Sequence, residues 1–173
     1  NLADLVPDPT DLKAYRTWID AQFDASVTWK DIEWLRGIWK GKLILKGIQE
    51  ADDALAAAEV GADGLVVSNH GVRQLDSVNS SISKLPGVVA AVGERMEVYV
   101  DGGVRSGLDV FKAIALGATG VMIGRPWAWA LAAGGEAAIA ALLTTFKKEL
   151  EVALALSGVT TIGQICPVLI DSI

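Results

Sequence analysis

From residue 43 onward, short apolar runs alternate with longer stretches whose apolar residues recur at helical spacing. Leu43-Ile44-Leu45 reads as a strand ending in Lys46-Gly47, and the Ala-rich stretch 50–60 reads as a helix closed by Gly61. A second strand, 64–67, ends abruptly in the polar string Ser68-Asn69-His70-Gly71-Val72-Arg73. A helix with Pro86 near its start then runs to about Val92 and is closed by Gly93. Val98-Tyr99-Val100 is the third strand and ends in Asp101-Gly102-Gly103. The helix 106–116 is closed by Gly117, and a fourth strand, 120–123, ends in Gly124-Arg125. The stretch 136–156 predicts a long amphipathic helix packed outside the sheet. Strands alternating with helices, with no hairpin signal between them, predict an α/β chain. Its strands are parallel and joined by right-handed crossovers, as half of a barrel or a small open sheet.

Upstream of this repeat, residues 1–10 lack periodicity and carry turn chemistry at Asp4, Pro7, Asp8 and Pro9, which predicts a loop. Residues 11–23 predict a helix with Leu12, Tyr15 and Ile19 on one face. Thr28 ahead of Trp29-Lys30-Asp31 predicts an N-cap, followed by a helix whose Ile32, Leu35 and Trp39 share a face as packing residues. A length of 173 residues suits one domain, residues 1–173, with a real core. It falls short of the roughly 250 residues of a complete (β/α)8 barrel. The 51% hydrophobic content and mean hydropathy of +0.39 fit buried parallel strands, or a fragment whose apolar surface another segment would cover. A net charge of −6 argues against nucleic acid and anionic membranes as partners. The single Cys166 excludes an internal disulfide and fits the cytoplasm or another reducing compartment. The chain opens on no basic-then-apolar leader. The uncharged stretch 152–170 is broken too often by Gly, Thr, Gln and Pro for a spanning helix, so a soluble protein is expected.

The chemistry collects where strands end, and in parallel α/β folds those ends share one face. His70, the only histidine, titrates near neutrality and can accept a proton. Arg73, three residues on, can clamp a carboxylate. In isolation such a histidine is more often a satisfied surface or core residue; two later strand ends rich in Gly and Arg argue against that here. Asp101-Gly102-Gly103-Val104-Arg105 resembles a phosphate cradle: glycines let backbone N–H groups approach an anion, and the next helix N-terminus adds positive potential. Arg105 supplies a fork of donors. Gly124-Arg125 repeats the device. Lys46 is either a surface lysine or a positive charge facing the same site. No metal-ligand pattern is evident.

Beyond these local readings, the segment 68–76 resembles the active-site segment of the FMN-dependent α-hydroxy-acid dehydrogenases and oxidases. The resemblance continues through Trp29-Lys30-Asp31-Ile32, Lys46-Gly47-Ile48, Asp101-Gly102-Gly103-Val104-Arg105-Ser106-Gly107 and Gly124-Arg125-Pro126. It implies about four βα units, the C-terminal half of a TIM (β/α)8 barrel, because family members run to about twice this length. It implies FMN as cofactor, held by Lys46, Ser68, Asp101, Gly102, Gly103, Val104, Arg105, Gly124 and Arg125, with Lys46 beside the pyrimidine edge. His70 would take a proton from a small 2-hydroxy acid whose carboxylate Arg73 binds, and oxygen or a redox partner would accept the electrons. The family departs from this sequence at Val72, where it usually carries Gly or Ala. Residues that the family takes from the first half of its barrel have no counterpart here. The resemblance therefore also allows a catalytically incomplete half-barrel that self-associates or pairs with an N-terminal half. A different phosphate-binding barrel enzyme, such as an isomerase, remains the third reading.

Overall fold

Ile44–Ile48 (β1), Gly64–Val67 (β2), Glu97–Val100 (β3) and Gly120–Val121 (β4) form one sheet in the order β1-β2-β3-β4. All three pairings are parallel. The structure is a computed structural model and describes residues 3–6, 8 and 10–170. The helices are Leu12–Gln22 (α1), Trp29–Ile38 (α2), Ala51–Glu59 (α3), Ser81–Val92 (α4), Gly107–Ala115 (α5) and Arg125–Leu156 (α6).

Side chains alternate between the faces of a strand, and the register decides which residues meet the helices. Leu65 pairs with Val98 and Val67 with Val100. These four pack with Ala54 of α3 and Leu85, Val88 and Val92 of α4 into the main core. Lys46 pairs with Val66 and Val66 with Tyr99, so all three line the opposite face. That face is left open at both margins, where Ile44 is 45% and Met122 44% exposed. A second cluster joins Phe111 and Ala115 of α5 to Ala153 of α6 and to Ile165. The long helix therefore packs outside, as its periodicity predicts.

At the N-terminal end of the sheet, Asp63 gathers Arg36 Nη1 (3.1 Å), Lys42 Nζ (3.0 Å) and the Leu43 backbone N–H (2.9 Å). The Leu43 hydrogen bond and then the Lys42 ammonium hold its carboxyl below the usual carboxylate range. This end of such a fold carries stability rather than chemistry.

Several expectations need correction. β1 extends past Lys46 to Ile48 through a bulge between Lys46 and Ile48, while β4 stops at Val121. Pro86 lies inside α4, not near its start, because the Ser80 hydroxyl caps the helix at Ser83 N and begins it earlier. The helix expected over 136–156 is the second part of α6; its first part, from Arg125, was not expected. The two meet at a break where Gly134 and Gly135 leave helical geometry (Gly135 φ 61°). α6 is long and apolar enough to cross a membrane by composition, but that break interrupts it, and Lys147, Lys148, Glu149 and Glu151 follow.

Within 1–10, Ala3–Leu5 forms a 3-10 turn, and Asp8 accepts hydrogen bonds from Thr10, in keeping with turn chemistry. Pro7 and Pro9 lie outside the described residues. Thr28 caps α2 as expected, and Asp11, read as the first residue of the helix 11–23, is instead the N-cap of α1. The packing face of α2 is not buried, however: Leu35 is 38% and Trp39 53% exposed. An apolar helix face left in water is incomplete by itself.

Candidate functional site

The turn after β2 is built by short polar side chains. Ser68 is 2% exposed, and its Oγ accepts hydrogen bonds from Lys46 Nζ (2.6 Å) and from the His70 backbone N–H (3.0 Å). Asn69 Oδ1 accepts from Gly71 N at 3.0 Å, closing an Asx turn. Its amide donates to Asn79 O (3.1 Å), and its backbone N–H donates to buried Ser81 Oγ (3.2 Å). These contacts force His70, Gly71 and Val72 into the left-handed region, with φ of 54°, 65° and 59°.

A β-branched residue there is strained. Val72 does not line the cleft described below, so its strain has no evident compensation in ligand contact. Val72→Gly should raise stability by about 1 kcal/mol, read as a higher urea midpoint with an unchanged m-value; a lower midpoint would show that the valine side chain is needed.

After β3 the chain turns through Asp101, Gly102 (φ 87°) and Gly103 (φ 88°). A Cβ on Gly102 would also come within 3.1 Å of Ser81 Oγ and 3.2 Å of Asn69 Oδ1, so this loop seats directly against the histidine turn. Asp101 Oδ2 forms an ion pair with Lys46. Its Oδ1 is buried and has no hydrogen-bond partner among the described residues. The helix N-terminus that follows is not free for an anion, contrary to expectation. Asp109 Oδ2 accepts from Arg105 N and Ser106 Oγ, both at 2.9 Å, and Glu149 Oε2 accepts from Gly107 N at 2.7 Å. The start of α5 is already capped by carboxylates.

The start of α6 is different. Gly124 precedes it, no side chain caps it, and its first turn holds no acidic residue. Its positive end opens into a cleft of about 320 Å3, as an anion site requires. The cleft is lined by His70, Gly71 and Arg73 on one side, and by the segments 101–105 and 122–128. Of the predicted site residues, His70, Arg73, Asp101, Gly102, Gly103, Val104, Arg105, Gly124 and Arg125 thus share one cavity. Lys46 and Ser68 do not line it; they reach it through Asp101 and the His70 backbone. Arg125 also does more than expected, donating from Nη2 to Gly71 O at 2.6 Å. His70, Arg73 and Arg105 make no side-chain hydrogen bond or ion pair among the described residues.

Sequence reasoning gave no role to Ser81, or to Asn69 within the motif; Ser80-Ser81 ahead of an apolar run was the available signal. It also missed Trp127, which lines the cleft from the unforeseen first part of α6.

The donor set fits a phosphate-bearing, hydroxylated cofactor such as FMN. Backbone at Gly102 and Gly103, the uncapped α6 terminus and the free Arg105 suit a phosphate. The orphaned Asp101 Oδ1 suits a hydroxyl donor.

Comparison with known proteins agrees. The sequence profile of the FMN-dependent dehydrogenases matches residues 3–172. An L-lactate dehydrogenase of Caulobacter sp. (strain K31) is 53% identical over 165 residues, covering 95% of this chain and 43% of the relative. One from Pseudomonas putida (strain W619) is 49% identical over the same shares. Mandelate oxidase with (S)-4-hydroxymandelic acid superposes with a TM-score of 0.81 at 45% identity, over 85% of this chain and 41% of that one. A mandelate oxidase variant with a monooxide FMN adduct gives 0.79 at 46% identity, over 84% and 46%. This chain spans less than half the length of these relatives, and with its four parallel strands it belongs to the FMN-dependent dehydrogenase family as half of that family's (β/α)8 barrel.

Proposed function

We propose that this chain is the cofactor-binding half of an FMN-dependent oxidoreductase that converts a small (S)-2-hydroxy acid, such as lactate, glycolate or mandelate, to its 2-oxo acid. The observation that carries this reading is one cleft with the glycine loops and the α6 terminus on one wall and His70 and Arg73, without side-chain partners among the described residues, on the other. The names of the relatives, L-lactate dehydrogenase and mandelate oxidase, support it.

When bound, FMN would supply the acceptor for the two electrons that the substrate's α-carbon loses. Segments 101–105 and 124–125 would hold its phosphate. Lys46 is fixed by the Asp101 carboxylate and by Ser68 Oγ, so its ammonium would lie where negative charge develops. Arg73 clamps the substrate carboxylate, which places the α-carbon within reach of the imidazole. His70 accepts the proton that the substrate releases.

The reading includes a partner segment. The open face at Ile44 and Met122, the outer strand edges of β1 and β4, and the exposed face of α2 all match what an N-terminal half-barrel would cover. Unpaired edges favour pairing with another chain. Apolar area left in water costs roughly 25 cal/mol per Å2. Turnover is therefore expected only with that half present, and self-association without it. Oxygen or a redox partner is the electron acceptor.

Arg73→Lys tests the assignment. Lysine keeps the charge but loses the planar two-point contact. In protein containing both halves, substrate-driven flavin reduction should fall at least about tenfold, with flavin content unchanged. Equal loss of both would reassign Arg73 to the cofactor.

A further inference from the structure

The turn that carries His70 is satisfied almost wholly from within. Val72 N donates to Asn69 O at 3.0 Å and Arg73 N to His70 O at 3.3 Å. Its base is tied to Asn79 and Ser81 through Asn69. Beyond that base, the only side chain from outside the turn that bonds the backbone of residues 70–73, among the described residues, is Arg125. Its Nη2 donates to Gly71 O at 2.6 Å across 54 residues of sequence. The guanidinium also covers Gly71: a Cβ there would lie 3.5 Å from Nη1 and 3.6 Å from Cζ. Gly71 is the middle of three consecutive left-handed residues, His70, Gly71 and Val72, a conformation that persists only when its surroundings enforce it.

We propose that Arg125 is a positioning residue that clasps the His70 turn and couples it to anion binding at the α6 terminus. Arg125 is the first residue of α6 and lines the same cleft as His70. One edge of its guanidinium holds the Gly71 carbonyl, and its remaining donors are free for an anion seated between Gly103 and Gly124. An anion there fixes the guanidinium, and the fixed guanidinium holds the turn. Cofactor occupancy thereby orders the proton acceptor before substrate arrives. This rests on the phosphate reading above, but the clasp itself does not.

The test is amide hydrogen exchange on this chain, with and without inorganic phosphate. Without phosphate, Arg125→Gln should speed exchange at Val72 and Arg73 on the order of tenfold, as expected for losing a hydrogen bond to a charged group, while Leu65 and Val67 in β2 stay unchanged. Phosphate should slow Val72 and Arg73 in the wild type and leave them unmoved in Arg125→Gln. Unchanged loop exchange in the variant would overturn the clasp. Phosphate that perturbs Gly103 and Gly124 but not the loop would overturn the coupling. Phosphate that perturbs none of them in the wild type contradicts the cofactor reading instead, and the phosphate-free comparison still decides the clasp. Should β2 also exchange faster in Arg125→Gln, Arg125→Lys provides the comparison. Lysine lacks the guanidinium plane over Gly71, so the same loop-specific acceleration is expected, and its absence would overturn the proposal.

Discussion

His70→Asn should lower 2-hydroxy-acid oxidation by about 10^2- to 10^4-fold, the usual contribution of a positioned general base, with little change in bound flavin. The imidazole makes no hydrogen bond to the framework among the described residues. The turn is held by the Ser68 hydroxyl, the Asn69 side chain and backbone bonds, none of which needs a histidine side chain. Asparagine also tolerates the left-handed φ of 54° at this position, so the variant removes the proposed proton acceptor without disturbing the turn. Rapid-mixing measurement of flavin reduction, in protein containing both halves, reads the loss directly. A parallel fall in flavin content would make His70 a structural residue.

Gly107→Ala should be the most damaging single methyl addition to the fold. Gly107 is the first residue of α5 and donates its backbone N–H to Glu149 Oε2 at 2.7 Å. An added Cβ would collide with Phe146 O and Leu150 N, both backbone atoms of α6, and lie 2.7 Å from Glu149 Cβ. Backbone cannot swing aside as a side chain does, so α5 and α6 must separate. That would open the cluster of Phe111, Ala115, Ala153 and Ile165 and remove the carboxylate cap from α5. Overpacking with loss of these contacts predicts a destabilisation of about 3 kcal/mol or more. Urea unfolding of the variant against wild type checks it; a change below about 0.5 kcal/mol, the range of a neutral surface substitution, would show that the two helices part freely.

The parallel order of strands was legible because each apolar run is short, separated by a helical stretch, and punctuated by Gly61, Gly93, Gly117 and Gly124. The convergence of His70, Arg73 and the two glycine loops followed from that order, since parallel strands deliver their ends to one side. What the sequence did not convey was competition for backbone donors. Asp109 and Glu149 occupy the α5 terminus, and Glu149 comes from 42 residues away, beyond any local signal. The uncapped helix start is instead that of α6, whose first part has no sequence signal because Gly134-Gly135 obscures its continuity with the segment that follows. Lys46 reads from the sequence as either a surface lysine or a positive charge facing the site. It is instead held by Asp101 and Ser68, residues on two other strand ends. Leu35 and Trp39 read as packing residues because a helical stripe implies a surface to meet, and among the described residues that surface is not present.

In the proposed division, this chain supplies the phosphate cradle and the proton acceptor, and an N-terminal half supplies the wall that completes them. The most direct measurement is flavin absorbance of the purified chain, alone and assembled with an N-terminal half, before and after addition of L-lactate, with sedimentation recording the state of each sample. Weak flavin retention, self-association and no bleaching are expected for the chain alone, against stoichiometric flavin that bleaches on lactate once the halves are joined. A monodisperse monomer that holds stoichiometric FMN and oxidises lactate efficiently without the second half would contradict the account.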